Sequence, residues 1–362
     1  MRLFLFGSAL GGYLRNLLAL RSFAVLCGLG GLFQVLDLLE NSTDILSRGQ
    51  GFAGIAHYTL LRSPSVLLQA LPLAALLGAI FSFSTLSRQN EICAMRAAGL
   101  PFRRVLLALL PTAVAIGLLH GLLAEAVVPK SQKALTAWWA SLPPSPDKDP
   151  DTELLWFRTG GAVVGVATVK PDGRRLDDIR IYRRDELGRL LSRTVAARAE
   201  YVDGQWSLID AVVTDLQAGS HAPLQAALPW DTRLKPADLM RLSASEPYVS
   251  GGLAVQVLAG SQSGTKTDAF YRTRIARAFS DPLAAIVMLL LATPVAIALT
   301  RGGAGGAQVL GALATGLVFL LINGLLSALG EAGTLAPLLA AWIAPTLFVL
   351  LGLAFVYRLD RH

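Results

Sequence analysis

Six long apolar stretches constrain the fold of this chain more than any other feature of its sequence. A helix needs roughly 20 mostly apolar residues to cross the hydrocarbon core of a bilayer. Stretches of about that length lie at residues 16–37, 67–86, 104–127, 279–299, 308–329 and 336–357. Charged residues make up only 16% of the chain, whereas about a quarter of the residues of a soluble domain are charged. The sequence therefore predicts an α-helical polytopic membrane protein with six transmembrane helices, three on each side of a polar segment.

The polar segment, residues 130–270, has the pattern of a β domain. Short runs in it alternate apolar and polar residues and are separated by Gly-, Pro- and Asp-rich turns. The clearest runs contain Leu154 and Trp156, Val164 and Val166, Ile179 and Ile181, and Trp206 and Leu208. Repeated short strands favour an antiparallel sandwich or jelly roll with an edge open for pairing. We therefore predict three regions: 1–129 and 271–362 in the membrane, and 130–270 as an inserted β-jelly-roll domain.

The charges of the short loops indicate how the chain is oriented. The loop after the second apolar stretch carries Arg88, Arg96, Arg103 and Arg104 against the single acid Glu91. Cytoplasmic loops are enriched in Lys and Arg, whereas the loop near Glu331 has no cation. We expect both termini in the cytoplasm and the central segment on the exported side. The net charge of +7 lies outside the central segment, so nucleic acid binding is not expected.

A short charged helix is predicted between the second and third apolar stretches, at residues 88–99. Gly99 and Pro101 end it, and Glu91 lies near the positive end of its dipole. Ile92, Met95 and Gly99 fall on one face, which suits docking into a groove of a soluble partner. The alternative is a connector that lies on the membrane surface.

Other polar residues lie near the predicted outer ends of the helices. Asp37 closes the first stretch, and His120 and Glu125 form either a polar cavity lining or a local hydrogen-bonded helix end. Three arginines, Arg272, Arg274 and Arg277, precede the fourth stretch on the exported side; they either contact lipid phosphate or extend to the surface as ordinary helix-end cations. Pro72, Pro111, Pro282 and Pro294 can bend their helices where neighbours satisfy the freed carbonyls.

No motif for catalysis or cofactor binding is present in the sequence. It contains no Walker A, HExxH or nucleophile-elbow pattern, and its two cysteines, Cys27 and Cys93, do not form a metal-binding pair. We therefore predict a protein that is not an enzyme and needs neither cofactor nor metal. A membrane-embedded lipid-modifying enzyme remains an alternative, for which Asp37, His120 and Glu125 would be a poor active site. A structural or regulatory membrane protein is a third possibility, separated from a transporter by co-purification with an ATPase.

Four segments resemble one known family. Residues 88–99 (RQNEICAMRAAG) resemble the coupling helix of the lipopolysaccharide export permeases, the LptF/LptG family. Residues 71–80 (LPLAALLGAI) are similar to the second span of that family, and residues 335–345 (LAPLLAAWIAP) to its last span. Residues 199–210 (AEYVDGQWSLID) resemble a hairpin of its exported jelly roll. The resemblance extends over essentially the whole chain and is closer to the G type than to the F type.

The resemblance implies a permease subunit of an ABC exporter that extracts lipopolysaccharide from the inner membrane. Its implied partners are an F-type (LptF-type) permease, a cytoplasmic LptB-type ATPase dimer that hydrolyses the ATP, and periplasmic jelly-roll proteins of the LptC and LptA types. It also implies that the coupling residues meet the ATPase, Glu91 at a basic site and Met95 with Gly99 in a groove. The coupling residues are Arg88, Glu91, Ile92, Met95 and Gly99.

One departure from the family pattern concerns the lipid. G-type members commonly carry lysines at the outer end of the first span, where this chain has Gln34 and Glu40. Either the glycolipid carries less phosphate or other cations replace those lysines, and we favour replacement. The candidate lipid-binding residues are therefore Gln34, Asp37, Arg48, Arg62, Arg272, Arg274 and Arg277.

Overall fold

The computed structural model confirms the predicted fold class, a six-span helical membrane protein with an inserted β domain. It describes residues 9–143, 154–159, 162–170, 172–184, 190–202, 204–215, 220–221, 225–232, 234–236, 239, 248–260, 266–298 and 306–360. Within these ranges, six helical segments are long and apolar enough to cross a membrane. An antiparallel sheet lies between the third and the fourth of them.

The first two helices, α1 (Ala9–Ser47) and α2 (Gly51–Arg88), form a hairpin. At 1.5 Å per residue each is about 57 Å long, nearly twice the thickness of a hydrocarbon core. α1 ends at Ser47, and the chain then turns at Gly49, whose φ of +75° is left-handed. The N–H groups of Gly49 and Gln50 donate to the carbonyl oxygens of Leu46 and Ile45 at 2.9 and 3.4 Å, so the last carbonyls of α1 are satisfied as the chain reverses. Both helices of the hairpin are therefore longer than the hydrocarbon core is thick.

The remaining helices complete two groups of three spans. The short α3 (Glu91–Ala97) leads into a continuous third span, which consists of α4 (Phe102–Leu122), a π-helical turn (Leu123–Val127) and α5 (Val128–Ser141). After the sheet come α6 (Gly251–Leu258), α7 (Asp268–Ser280), a 3-10 turn (Asp281–Leu283), α8 (Ala284–Leu291), α9 (Thr293–Ala298), α10 (Gly306–Glu331) and α11 (Pro337–Asp360). The fourth span is thus interrupted at Pro282 and just before Pro294, as the sequence predicted, because proline cannot donate the helical hydrogen bond.

The membrane core is centred on α2 and α8. Leu76, Ile80 and Phe83 of α2 are fully buried against Leu109 of α4 and Met288 of α8. By contrast, only 11% of the apolar window of α1 and 17% of that of α10 is buried. The first and fifth spans therefore leave most of their apolar surface outside the chain's own core.

The β domain is one antiparallel sheet whose strands follow chain order. Its strands are β1 (Leu155–Thr159), β2 (Ala162–Val169), β3 (Arg175–Arg184), β4 (Leu190–Val202), β5 (Gln205–Asp215), β6 (Ser220–His221) and β7 (Gln225–Trp230). β6 and β7 both pair with β5 and together form the sixth column of the sheet. Alternate residues such as Val164, Ile181 and Trp206 fill one core, which is why the two-residue period was visible in the sequence.

Candidate functional site

The predicted short helix between the second and third spans is present as α3. It begins after Asn90, whose φ of +59° turns the chain sharply out of α2. It ends at Gly99, where the N–H groups of Gly99 and Leu100 donate to the carbonyl oxygens of Arg96 and Met95 at 2.9 and 3.0 Å. The predicted stop at Gly99 is confirmed. The helix itself has seven residues, because Arg88 is the last residue of α2 and residues 89–90 form the turn.

The orientation predicted for α3 is wrong. Ile92 is 2% exposed and Met95 is 7% exposed, and both belong to the chain's own membrane core together with Phe83 and Phe102. They therefore do not form an apolar ridge for a soluble partner. Burying two apolar side chains against neighbouring helices gains a few kcal/mol, and this gain turns the apolar face inward.

The outward surface of α3 is polar and small. Arg88, Cys93, Arg96 and Gly99 are exposed, and a Cβ added at Gly99 would meet no atom within 4 Å. Glu91 is half-buried, and its Oε1 accepts a hydrogen bond from the hydroxyl of Tyr13 at 3.1 Å. This bond joins the beginning of α1 to α3. The surface open to a partner therefore includes two arginines, a cysteine and a glycine, beside the half-buried acid Glu91.

Towards the tip of the hairpin formed by α1 and α2, Asp37 is already bonded to partners within the chain. Arg62 Nε donates to Asp37 Oδ1 at 3.0 Å, and the hydroxyl of Tyr58 donates to Asp37 Oδ2 at 2.7 Å. The two predicted residues Asp37 and Arg62 are thus brought together. Asp37 lies on α1 and Arg62 on α2, so this partly exposed pair ties the two helices together.

Arg48 also bonds within the chain, further along the hairpin. Its Nε donates to Asp44 Oδ1 at 3.1 Å, Nη1 donates to the carbonyl oxygen of Pro143 at 3.2 Å, and the guanidinium lies 5.1 Å from the ring centre of Trp139. It therefore ties the hairpin tip to the end of the third span. Gln34 is half-buried in α1, and its side-chain amide has no partner among the described residues.

The three arginines of α7 have different environments. Arg274 Nε donates to the carbonyl oxygen of Val249 at 3.0 Å, and Arg277 bonds to Asp281 (Nε to Oδ1, 3.1 Å) and to Ser327. Arg272 is exposed, and no described residue bonds to it. The predicted arginine cluster therefore does not face outward as a unit, because two of its members hold neighbouring segments of the chain.

Sequence reasoning missed several partners of the predicted residues. Asp281 lies four residues after Arg277, a helical spacing that was visible in the sequence. Tyr13 and Tyr58 lie 78 and 21 residues from the acids that they bond, and no local pattern indicates those contacts.

Comparison with known proteins identifies relatives that match nearly the whole chain. Residues 12–358 match the family described as lipopolysaccharide export system permease LptF/LptG. The lipopolysaccharide export system permease protein LptG of Escherichia coli (strain K12) is 26% identical over 342 residues, which cover 92% of this chain and 93% of that protein. The protein of the same name from Haemophilus influenzae is 24% identical over 336 residues, 91% of this chain and 92% of the relative.

Proposed function

The chain belongs to the LptF/LptG family of lipopolysaccharide export permeases, and we propose that it is the G-type permease subunit of an ABC exporter in the bacterial inner membrane. In this proposal it pairs with an F-type permease and a cytoplasmic ATPase dimer of the LptB type. The complex extracts lipopolysaccharide and passes it to periplasmic β proteins of the LptC and LptA types. The names of the relatives from two organisms support the G type over the F type.

The observation that carries the proposal is the construction of α3. Its apolar side chains, Ile92 and Met95, pack in the same core as α2 and α4, so a force applied to α3 is transmitted to the second and third spans. Glu91 is half-buried beside the buried Ile92 and Met95, and in this proposal a basic group of the ATPase reaches its carboxylate. Gly99, which has open space around it, allows close approach of the partner. The sequence has no Walker A motif, which supports ATP hydrolysis by a separate subunit.

The proposed orientation places α3 and both termini in the cytoplasm. Its support is the loop charge: Arg88, Arg96, Arg103 and Arg104 surround α3. The hairpin tip and the β domain then lie in the periplasm, with regions 1–129, 130–270 and 271–362 as the membrane, periplasmic and membrane parts. The largely exposed apolar faces of α1 and α10 are the proposed contacts with the sister permease.

For the lipid, we assign the first contact with phosphate to Arg272. It is exposed and unbonded among the described residues, whereas Arg48, Arg62, Arg274 and Arg277 are bonded within the chain. Replacing Arg272 by Ala should reduce photocrosslinking to lipopolysaccharide severalfold without changing thermal stability. Equal crosslinking of the wild type and the R272A variant would refute this assignment.

The coupling role is tested by reversing the charge of Glu91. We expect Glu91→Lys to reduce recovery of the ATPase with affinity-purified, detergent-solubilised protein at least tenfold, since disrupting a charge pair at an interface costs about 2–5 kcal/mol. Cys93→Ser, two positions away on the exposed surface, is the matched control and should retain the ATPase. Mass spectrometry of the wild-type complex should show a second permease, two ATPase copies and bound lipopolysaccharide. A wild-type complex without an ATPase, or full recovery with E91K, would contradict the proposal.

A further inference from the structure

The chain returns from the β domain to the membrane through a segment that is bound to the third span. This segment comprises residues 248–250 and α6. Glu125, on the third span, accepts hydrogen bonds from the N–H groups of Gly251 (to Oε1, 2.9 Å) and Gly252 (to Oε2, 3.0 Å). Each carboxylate oxygen therefore satisfies one of the N–H groups that a helix leaves unpaired at its start. Gly251 and Gly252 lie 126 and 127 positions after Glu125 in the chain.

The position of Glu125 depends on an irregularity in its helix. Leu123–Val127 form a single π-helical turn, in which the N–H of Val128 donates to the carbonyl oxygen of Leu123. Such a turn accommodates one extra residue and rotates the side chains that follow it. The exposed carboxylate of Glu125 is thereby directed at the beginning of α6, where its charge also matches the positive end of the helix dipole.

A second set of contacts holds the same segment from the fourth span. Arg274 of α7 donates to the carbonyl oxygen of Val249, and its guanidinium lies 5.1 Å from the ring centre of Tyr248. Ser250 caps α6, since its hydroxyl accepts from the N–H of Leu253 at 3.2 Å. Residues 248–253 are thus bonded both to the third and to the fourth span.

The packing at Gly251 shows how closely α6 lies against the spans. A Cβ added to Gly251 would lie 2.8 Å from the Cβ of Ala278 and 3.2 Å from Oε1 of Glu125. Real Cβ atoms essentially never come within 3.0 Å of another atom, so any larger residue would push α6 away from α7.

We propose that Glu125 is a positioning residue for transport, which latches the return segment to the third span so that the β domain follows the movement of the membrane helices. The inference rests on the proposed exporter function, in which lipid must pass from the helices to the β domain. Without the latch, movements driven by the ATPase would be taken up by a loose α6, and lipid would be passed on less efficiently for each ATP consumed.

The test uses the full chain in its complex with the ATPase, reconstituted into liposomes containing lipopolysaccharide. Glu125→Gln keeps the size of the side chain but replaces one acceptor oxygen by an NH₂ group that faces a backbone N–H. We expect roughly tenfold faster hydrogen–deuterium exchange at the amide, of Gly251 or of Gly252, that loses its acceptor. The neighbouring amide of Leu253, bonded to Ser250, is the internal reference. Lipopolysaccharide released per ATP hydrolysed should fall at least threefold, while complex assembly and the rate of ATP hydrolysis are retained.

Two further variants make the result specific. Glu200→Gln removes an acid from a surface ion pair with Arg175 on the sheet and should behave as wild type. Gly251→Ala disturbs the same contact from the other side and should act in the same direction as E125Q, which keeps the test valid if E125Q is poorly produced.

The possible outcomes separate the latch from the proposed function. Unchanged exchange in E125Q, or faster exchange with an unchanged ratio of lipid to ATP, would overturn the inference. If the wild-type complex itself releases no lipopolysaccharide, the proposed function fails, and the exchange data alone decide whether Glu125 holds α6.

Discussion

Two short connecting helices are held by different kinds of interaction. α3 joins the second and third spans, and α6 leads from the β domain towards the fourth span; we call them the α3 junction and the α6 junction. α3 is held by the apolar side chains of Ile92 and Met95, which are buried in the core. α6 is held by polar contacts, from Glu125 to its first two N–H groups and from Arg274 to the preceding carbonyl. An apolar anchor leaves the polar groups of α3 available to another protein, whereas the polar latch at α6 uses its hydrogen-bonding groups within the chain.

The difference explains why the two junctions suit different tasks. Burial of an Ile or Met side chain contributes about 1.5–3 kcal/mol and does not depend on charge. Hydrogen bonds to an exposed carboxylate contribute less, because water competes for them. The attachment of α3 therefore does not depend on charge, whereas the attachment of α6 depends on the Glu125 carboxylate and on Arg274. The following substitutions test this contrast.

The largest effect is expected for Ile92→Ala. Removing most of a side chain that is 2% exposed should lower the free energy of unfolding by about 2–4 kcal/mol, measured by denaturant or thermal unfolding in detergent. Cys93→Ala is the control. The Cys93 side chain, next to Ile92, is exposed, so this substitution should change stability by less than about 0.5 kcal/mol. Similar effects of the two variants would mean that α3 is not anchored by its apolar face.

A somewhat smaller effect is expected for Gly117→Ala in α4, which lies against the 3-10 turn at Pro282. A Cβ at Gly117 would collide with the carbonyl oxygen of Pro282, a backbone atom that cannot rotate away. We expect a loss of about 1–3 kcal/mol from overpacking, measured in the same unfolding experiment. Gly311→Ala, inside α10 where a Cβ meets no atom within 4 Å, should not destabilise the chain and should stabilise it by up to about 1 kcal/mol. A stable G117A variant would show that α4 and the 3-10 turn can separate freely.

The contact between Tyr13 and Glu91 should contribute no more than about 1 kcal/mol, because both groups are at least partly exposed. A double-mutant cycle with Tyr13→Phe and Glu91→Gln should give a coupling free energy of about 0.5–1 kcal/mol. Strict additivity of the two substitutions would show that the hydrogen bond does not stabilise α3. A coupling of several kcal/mol would contradict the conclusion that apolar burial dominates there.

The smallest effect concerns alkaline pH and Tyr248, which precedes α6. Burial raises the pKa of the Tyr248 phenol above its ordinary value of 10.0, and the neighbouring Arg274 only partly opposes this. The unfolded chain therefore loses this proton at a lower pH than the folded chain, so stability should fall as the pH rises above about 10. Tyr248→Phe should remove that part of the decline in a series of unfolding measurements. An identical decline in the variant would show that Tyr248 does not contribute.

Local features of the sequence were sufficient to predict the presence and the end of α3, but not which of its faces is buried. Gly99 ends α3 because a left-handed residue is needed there, and that requirement involves only neighbouring residues. The spacing of Ile92 and Met95 correctly placed them on one face. Whether that face turns toward a partner or toward the membrane core depends on how α2 and α4 pack, which the spacing does not contain.

The contacts around α6 and α7 depend even more on tertiary structure. Arg272, Arg274 and Arg277 look alike in the sequence, yet two of them bond within the chain and one is exposed. We predicted that His120 and Glu125 form either a cavity lining or a local helix end. Both line a small cavity, and Glu125 also bonds residues 126 and 127 positions later. Charge alone cannot distinguish a structural cation from a binding cation.

The sequence by itself determined the number of spans, the position of the β domain, the end of the charged helix at Gly99 and the family. The first three follow from hydropathy, two-residue alternation and backbone conformation, all of which act over a few neighbouring residues. The family follows from the resemblance of four segments to known permeases and from the match of residues 12–358. Only the tertiary structure decided which face of α3 is buried, which arginines are bonded and where the return segment is held. Those outcomes depend on the crossing of helices distant in the chain, since packing and hydrogen bonding are satisfied between elements rather than within them.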